Sequence, residues 1–436
     1  MFLAKIPLYW HLMSLIFLSP PMEFQCDNLQ QSIEKEHGGC PCDNPSWNRS
    51  VFTETAQTKF GLICDRAWVI SFSESMLYVG TLIGSLVFGF MADKYGRLLM
   101  FSLCCLCVAT AGCLVSVMPT AVSYIIMRCL EGIGTGGAIV TGFVYIIEYC
   151  GTRYRDIVAA LYHIPLTIGH VTLAGVSYLL RNYNKLQLAL SVPMFVVALS
   201  GLLIHESPKW LMDSGKIDKA AEVIKKIDKF NNTSTSDNIQ IEMEQYRAAL
   251  PKTARNKENF FQIFKYKKLL VNFLSMSAIY LICGMGYYGV SQYIGRMSGD
   301  IHCIFMLAVI FISPDMKITK MVLASCSNTC FFISFIVIFL YGVELFPTGV
   351  RNSVLGVLSV LSRIGMIIAP PVNSLHQTVA GTIFGVSAIL GAVLCYPLPE
   401  TKYVALPSTM DHSRALHRKS LRESLSLQNR QPSGAQ

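Results

Sequence analysis

Apolar runs of about 20 residues alternate with short polar turns along most of this chain. Residues 68–91, 98–118, 121–149, 157–180 and 186–204 follow one another with breaks of only a few residues. A run of that length is what a helix needs to cross a bilayer, so each predicts a span. The chain then turns polar from His205 to Lys268, and residues 269–290, 321–341, 354–371 and 379–398 resume the pattern. Inside the polar interval, Ile217, Ala220, Ala221, Ile224, Ile227 and Phe230 recur at helical spacing among lysines, which predicts an amphipathic helix. The expected organisation is a helical bundle at 1–204, a linker at 205–268, a second bundle at 269–398 and a polar, disordered Ser/Arg-rich tail at 399–436.

Two stretches fit this pattern less simply. Residues 2–18 are apolar with one lysine, Lys5, and Ser19-Pro20-Pro21 follows. Such a stretch reads as a cleavable signal peptide or as a shortened first span. The span is the favoured reading, with residues 22–67 as the loop after it. Farther on, the run at 303–312 would make a helix only about 15 Å long, half of a bilayer core of about 30 Å. It is a stub. The fold class expected is an all-α polytopic membrane protein with about ten full spans plus that stub.

Composition agrees and narrows the classes. Hydrophobic residues make up 52% and charged residues 14%, well below the share of about 25% in soluble domains. The net charge of +9 resides in loops and tail, where membrane orientation requires basic residues, so it does not imply nucleic acid. No phosphate loop, metal-spaced Cys/His set or nucleophile–base pair occurs, so neither an enzyme nor a cofactor nor a metal is expected. Of fifteen cysteines, Cys26, Cys40, Cys42 and Cys64 lie in the polar 22–67 loop. On an oxidising side they would form two disulfides whose pairing the sequence leaves open. Asn48-Arg49-Ser50 in the same loop is a glycosylation acceptor.

The turn between the first two long runs reads Gly89-Phe90-Met91-Ala92-Asp93-Lys94-Tyr95-Gly96-Arg97. Lys94 and Arg97 put it on the cytoplasmic side, and Asp93 is a carboxylate free to cap or face a neighbouring helix N-terminus. With Glu206-Ser207-Pro208-Lys209-Trp210-Leu211, Glu344-Leu345-Phe346-Pro347-Thr348-Gly349-Val350-Arg351 and Pro399-Glu400-Thr401, this chain resembles the major facilitator superfamily. The Cys-rich loop and its acceptor Asn48 make it most similar to the organic cation, anion and carnitine transporters of solute carrier family 22. The resemblance runs from about Leu12 to Asp411. The chain departs from it at Leu98, where a basic residue is usual, in its short N-terminus, and near 300–303, where the eighth span and part of the ninth are missing.

The resemblance implies alternating access around a midplane site between two bundles, so the candidates are polar or aromatic side chains inside spans. Arg363 lies about 18 Å into a helix past Arg351, where an Arg costs about 2.5 kcal/mol or more and is a functional candidate. In this family anion and carnitine carriers have Arg there and cation carriers Asp. Tyr280 and Tyr287 share a face with Tyr288 adjacent, suited to an aromatic wall or to core packing. His163 is a further substrate candidate, and His170 shares its face. Glu131, one turn after Arg128, is expected to be neutralised by it, and Glu74 to be wetted near a span end. Asp93, Arg97, Glu148, Arg153 and Arg155 form the expected gating cluster.

The function expected is transport of small organic ions, carboxylate-bearing anions or carnitine-like zwitterions, in the plasma membrane with both termini cytoplasmic. A cation transporter, and a truncated relative that no longer transports, are the alternatives. The partners expected are the organic ion and the lipid bilayer.

Overall fold

The computed structural model describes residues 2–20, 22–26, 45–150, 154, 158, 161–162, 164–201, 203–231, 260–296, 316–346 and 348–399. The molecule is mostly helical. Its helices are α1 (Lys5–Met13), α2 (Leu15–Leu18), α3 (Ala56–Phe60), α4 (Trp68–Tyr95), α5 (Arg97–Val117), α6 (Ala121–Tyr149) and α7 (Ile164–Leu179). They continue as α8 (Tyr183–Ser200), α9 (Pro208–Asp213), α10 (Ile217–Asn231), α11 (Lys267–Arg296), α12 (Met316–Leu345), α13 (Thr348–Asn373) and α14 (Gln377–Cys395). Among the described residues, six helices are long and apolar enough to cross a membrane, and Ile164–Leu179 and Leu323–Phe339 are apolar but shorter. The stub at 303–312, the gap near 300–303 and the tail fall outside the described residues.

The chain divides into two compact units, Met1–Pro251 with Gln292–Val322, and Lys252–Ser291 with Leu323–Gln436. In the first unit α4 and α6 meet backbone to backbone. A Cβ at Gly80 would lie 2.1 Å from the Cys129 carbonyl oxygen, and one at Gly84 would lie 1.9 Å from that of Ile133. From the other side, Gly132 faces the Leu77 carbonyl and Gly136 that of Thr81, each at 2.1 Å by the same measure. Glycines four apart on both helices form one contact line, so neither helix tolerates a side chain there. The Lys5–Met13 helix packs into this unit as well, with Leu8, Leu12 and Met13 buried. Trp10 donates to the Gly169 carbonyl and to Thr172 of α7. It is a built part of the bundle.

The second unit has its own core around Phe273, Met276, Tyr280, Ile338, Phe346, Val354 and Leu358. It repeats the close-approach device between α11 and α13. Added Cβ atoms at Gly284 and Gly365 would each lie 2.2 Å from a backbone oxygen, of Ser362 and Leu281 respectively.

Helix boundaries depart from the sequence pattern where polar residues still favour helix. The stretch 89–97, expected as a loop, is helical through Tyr95, and the turn is Gly96 alone, at φ +122°. Only glycine adopts that conformation without strain, which is why so short a connection suffices. The 22–67 segment carries structure that its composition did not announce. Strand β1 (Phe24–Cys26) pairs antiparallel with β2 (Pro45–Trp47), Phe24 opposite Trp47. Cys26 and Cys64 are each engaged in a disulfide, and Cys40 and Cys42 lie outside the described residues. Lys59 ties α3 to the bundle through the Ser116 carbonyl at 2.8 Å and Asn184 at 3.0 Å. In the linker, α10 buries Ala220, Ala221 and Val223 against Trp210 and Leu211. Phe230, placed on the same stripe by its spacing, is instead exposed at the helix end. On the outer face Lys226 holds the Glu222 carboxyl below its usual range, through a hydrogen bond and its charge.

Candidate functional site

The turn at Gly96 gathers the first cluster. Arg97, at the first position of α5, pairs with Asp93 one turn back on α4 and reaches Glu148 at the end of α6 with Nη2 at 3.3 Å. Arg153 and Arg155, expected in the same cluster, lie outside the described residues. The carboxylate at the α5 N-terminus is not Asp93 but Glu206, which accepts from Arg97 N at 3.1 Å and from Leu98 N at 3.0 Å. Helix N-termini leave such amides without intrahelical partners and favour negative charge. Ser207 donates to Glu148 at 2.6 Å and caps α9, and Trp210 Nε1 donates to the Asp93 carbonyl at 2.9 Å. Tyr145 and Tyr149 both donate to the His205 carbonyl. Five segments thus converge on a turn of one residue, held by charge-assisted bonds at Arg97, Glu148 and Glu206 and by neutral bonds from Tyr145, Tyr149 and Trp210.

Glu206 and Ser207 were legible only as a motif. A Ser before Pro signals a helix start, but nothing local says that the preceding Glu caps a helix 109 residues earlier.

A second cluster is fully enclosed. Glu131 of α6 receives Arg128 Nη1 at 3.1 Å, Gln187 Nε2 of α8 at 3.2 Å, and the His11 ring from α1. Arg128 also donates to Ser14 at 3.1 Å. Neutralisation of Glu131 by Arg128 was expected; His11 and Gln187 were not. His11 was readable only as a lone histidine in an apolar run, with no sign of its partner. Glu74, expected to be wetted, is instead 2% exposed and accepts from the Tyr78 hydroxyl at 3.1 Å. A buried carboxylate needs such a donor, and the tyrosine one turn later supplies it.

The third set lies in the second unit. Arg363 is half-buried near the middle of α13, within electrostatic reach of Tyr288. Tyr287 meets Tyr288 edge-on at 5.0 Å and leans on Phe332 at 5.5 Å. Tyr280 is enclosed in the core, edge-on to Phe335 at 6.0 Å. The structure therefore brings Tyr287, Tyr288 and Arg363 into one region and sets Tyr280 among packing residues. His163 lies outside the described residues, and His170 hydrogen-bonds the Leu166 carbonyl and meets Tyr9 edge-on. No group of three or more His, Cys, Asp or Glu side chains able to hold a metal occurs among the described residues.

Long apolar helices, with charges enclosed among them, define a multi-pass membrane protein. Among solved structures the chain is similar to the inward-open xylose transporter XylE from E. coli, at TM-score 0.61 and 13% identity over 95% of this chain and 98% of that one. It is also similar to a peptide transporter POT, at TM-score 0.52 and 11% identity over 91% and 92%. At such identities the likeness establishes the major facilitator fold. Residues 43–294 match the model of the sugar (and other) transporter family, and the chain belongs to that family. Its curated relatives are members of solute carrier family 22. Member 11 of Homo sapiens is 27% identical over 437 residues, covering 90% of this chain and 80% of that protein. Member 2 of Homo sapiens is 29% identical over 416 residues, with 87% and 75% covered. Organic anion transporter 3 of Oryctolagus cuniculus is 27% identical over 438 residues, with 91% and 79% covered. The protein is a transporter and not an enzyme.

Proposed function

We propose that this chain carries small organic ions across a membrane by alternating access, with carboxylate-bearing anions or carnitine-like zwitterions preferred. The observation that carries the preference is Arg363, in the middle of α13 beside Tyr288, in a segment, 354–371, without a single Asp or Glu. A guanidinium keeps its charge inside a protein and presents a fork that matches a carboxylate. Tyr287 and Tyr288 add ring faces for the organic part of the substrate. The name of organic anion transporter 3 agrees with this reading, and membership of the sugar (and other) transporter family supports the carrier mechanism. His163 and Tyr280 are assigned to the same substrate path, Tyr280 as its backing.

In this reading two bundles, 1–204 and 269–398, alternate around the site, with 205–268 and 399–436 on the cytoplasmic side of the plasma membrane. Asp93, Arg97, Glu148, Arg153 and Arg155 are the gate, which opens by breaking the ion pairs around Gly96. Asn48 and the four loop cysteines face outward.

The test is uptake of a carboxylate, a zwitterion and a quaternary ammonium by cells expressing the wild type and variants at 363. The carboxylate or zwitterion is expected to lead. Arg363→Lys should weaken its uptake, because a point charge loses the bidentate fork, and Arg363→Asp should depress it further. Uptake of the ammonium alone, unchanged in Arg363→Ala, would make Arg363 structural and the protein a cation carrier. Absence of all three uptakes, with protein at the surface, would identify a member of the fold that does not transport.

A further inference from the structure

One cavity serves neither the cluster around Gly96 nor the Arg363 region. It has a volume of about 380 Å³ and is lined by Trp47, Arg49, Thr53, Glu54, Thr58 and Asn182, all in the first unit. That volume falls within the range of small-molecule sites.

Its walls are pinned to the start of α8. Thr53 donates to the Arg181 carbonyl from its amide at 3.0 Å and from its hydroxyl at 3.2 Å, and Tyr183 N donates to the Glu54 carbonyl at 2.9 Å. Asn182 joins the two sides. Its Oδ1 accepts from Asn184 N at 3.0 Å, capping α8, and its Nδ2 donates to Glu54 Oε2 at 3.0 Å. Thr58 is held in the capping box that starts α3. These bonds hold the walls by themselves, so a ligand need not order the chain to bind. The glycosylation acceptor leaves the cavity clear. The Trp47 ring leans on Phe24 across the strand pair, with centroids 5.6 Å apart, whereas Asn48 Nδ2 donates to Glu23 at 3.3 Å. Successive residues of a strand point to opposite faces, so a glycan on Asn48 grows away from the Trp47 side.

Charge selects the occupant. Arg49 and Glu54 line one cavity, yet Arg49 forms no ion pair with Glu54 or any other carboxylate among the described residues. Glu54 accepts from Asn182 with Oε2, and its Oε1 has no donor among the described residues. Lys59 is near enough to act on Glu54 by charge, but its amine is held by the Ser116 carbonyl and Asn184. A lone anion would meet the repulsion of Glu54, and a lone cation that of Arg49. A molecule bearing both charges suits both walls. Its carboxylate fits the guanidinium fork, and a methylated ammonium fits a carboxylate beside an indole ring.

We propose that this cavity binds a small zwitterion that carries a carboxylate and a quaternary ammonium, at a site with no residue in common with the Arg363 region. The ligand class overlaps that proposed for transport, but the site stands on its own lining and does not rest on the transport reading.

The probe is glycine betaine, and its halves, acetate and tetramethylammonium, are the controls. The full chain is labelled with fluorotryptophan and purified in a detergent with an uncharged headgroup. The Trp47 fluorine resonance is assigned by its loss in Trp47→Phe, or in Trp47→Tyr should the first variant fail to fold. Glycine betaine is expected to shift that resonance saturably, at a lower concentration than either half. Arg49→Gln keeps the Asn48 acceptor triplet and removes no bond from the fold, and should raise the half-saturating concentration about tenfold or more. Arg363→Ala should leave the shift unchanged. The site is overturned by the absence of a saturable shift, by an equal response to either half, or by an unaltered response in Arg49→Gln. Loss of the shift in Arg363→Ala overturns it too, since Trp47 would then be reporting on the transport path. A saturable shift in a protein that takes up no organic ion upholds the site and overturns the transport reading instead.

Discussion

At the scale of single residues, exposure separates the members of the Gly96 cluster. The Asp93 side chain is 63% exposed and that of Glu148 only 9%, though both pair with Arg97. An exposed pair contributes about 1 kcal/mol or less, so Asp93→Asn should leave the melting temperature of the purified protein nearly unchanged while slowing uptake at equal surface level. Parallel loss of protein and of activity would make Asp93 structural. Glu148→Gln removes a largely buried partner of both Arg97 and Ser207 and should lower the melting temperature. Glu206→Ala should cost about 1–2 kcal/mol, as loss of a helix cap does, and free the linker from the turn. Faster proteolysis between α8 and α10 would report that release. Unaltered melting and proteolysis in Glu206→Ala would show that the cap bonds are dispensable.

At the scale of elements, the first unit depends on small residues rather than on apolar ones. Lipid is as apolar as leucine, so helices in a bilayer associate by close packing and not by escape from water. Gly80 and Gly84 against Gly132 and Gly136 give α4 and α6 that contact, with no room for a methyl group on either side. Gly84→Ala or Gly136→Ala must separate two backbones and should destabilise by about 1–3 kcal/mol or more, seen as a steep fall in the yield of monodisperse protein. Gly356, with open space around its position, is the control, and Gly356→Ala should express as wild type. Equal yields from all three would refute the interlock.

At the scale of the whole molecule, the 22–67 segment is where chemistry reports on sidedness. Asn48 is exposed just past β2, its side chain accepting from Ser50 N at 3.2 Å, and Cys26 at the far end of the strand pair is disulfide-bonded. Glycosidase treatment is expected to shift the mobility of the wild type and not that of Asn48→Gln. Cys26→Ser or Cys64→Ser should cost about 2–5 kcal/mol and reduce surface expression. An Asn48 without glycan together with alkylatable thiols at 26 and 64 in surface protein would invert the proposed orientation.

What the sequence determined by itself is whatever depends on neighbours along the chain. Run length and hydropathy marked the long apolar helices, helical spacing marked α10, and the motifs at 89–97 and 206–211 marked the family, because run length and turn chemistry are local properties. Its errors were also local: 89–97 read as a loop, since one glycine at φ +122° suffices where a polar stretch suggested more. Glu74 read as wetted because a lone carboxylate in a span does not reveal the tyrosine that covers it. The tertiary structure alone decided which residues meet across the chain. Glu206 reaches an amide 109 residues back, and His11 reaches a carboxylate 120 residues onward. Those meetings follow from the approach of helix backbones that glycines permit. A pairing energy between distant residues leaves no periodicity in either segment, so only the packed bundle shows it.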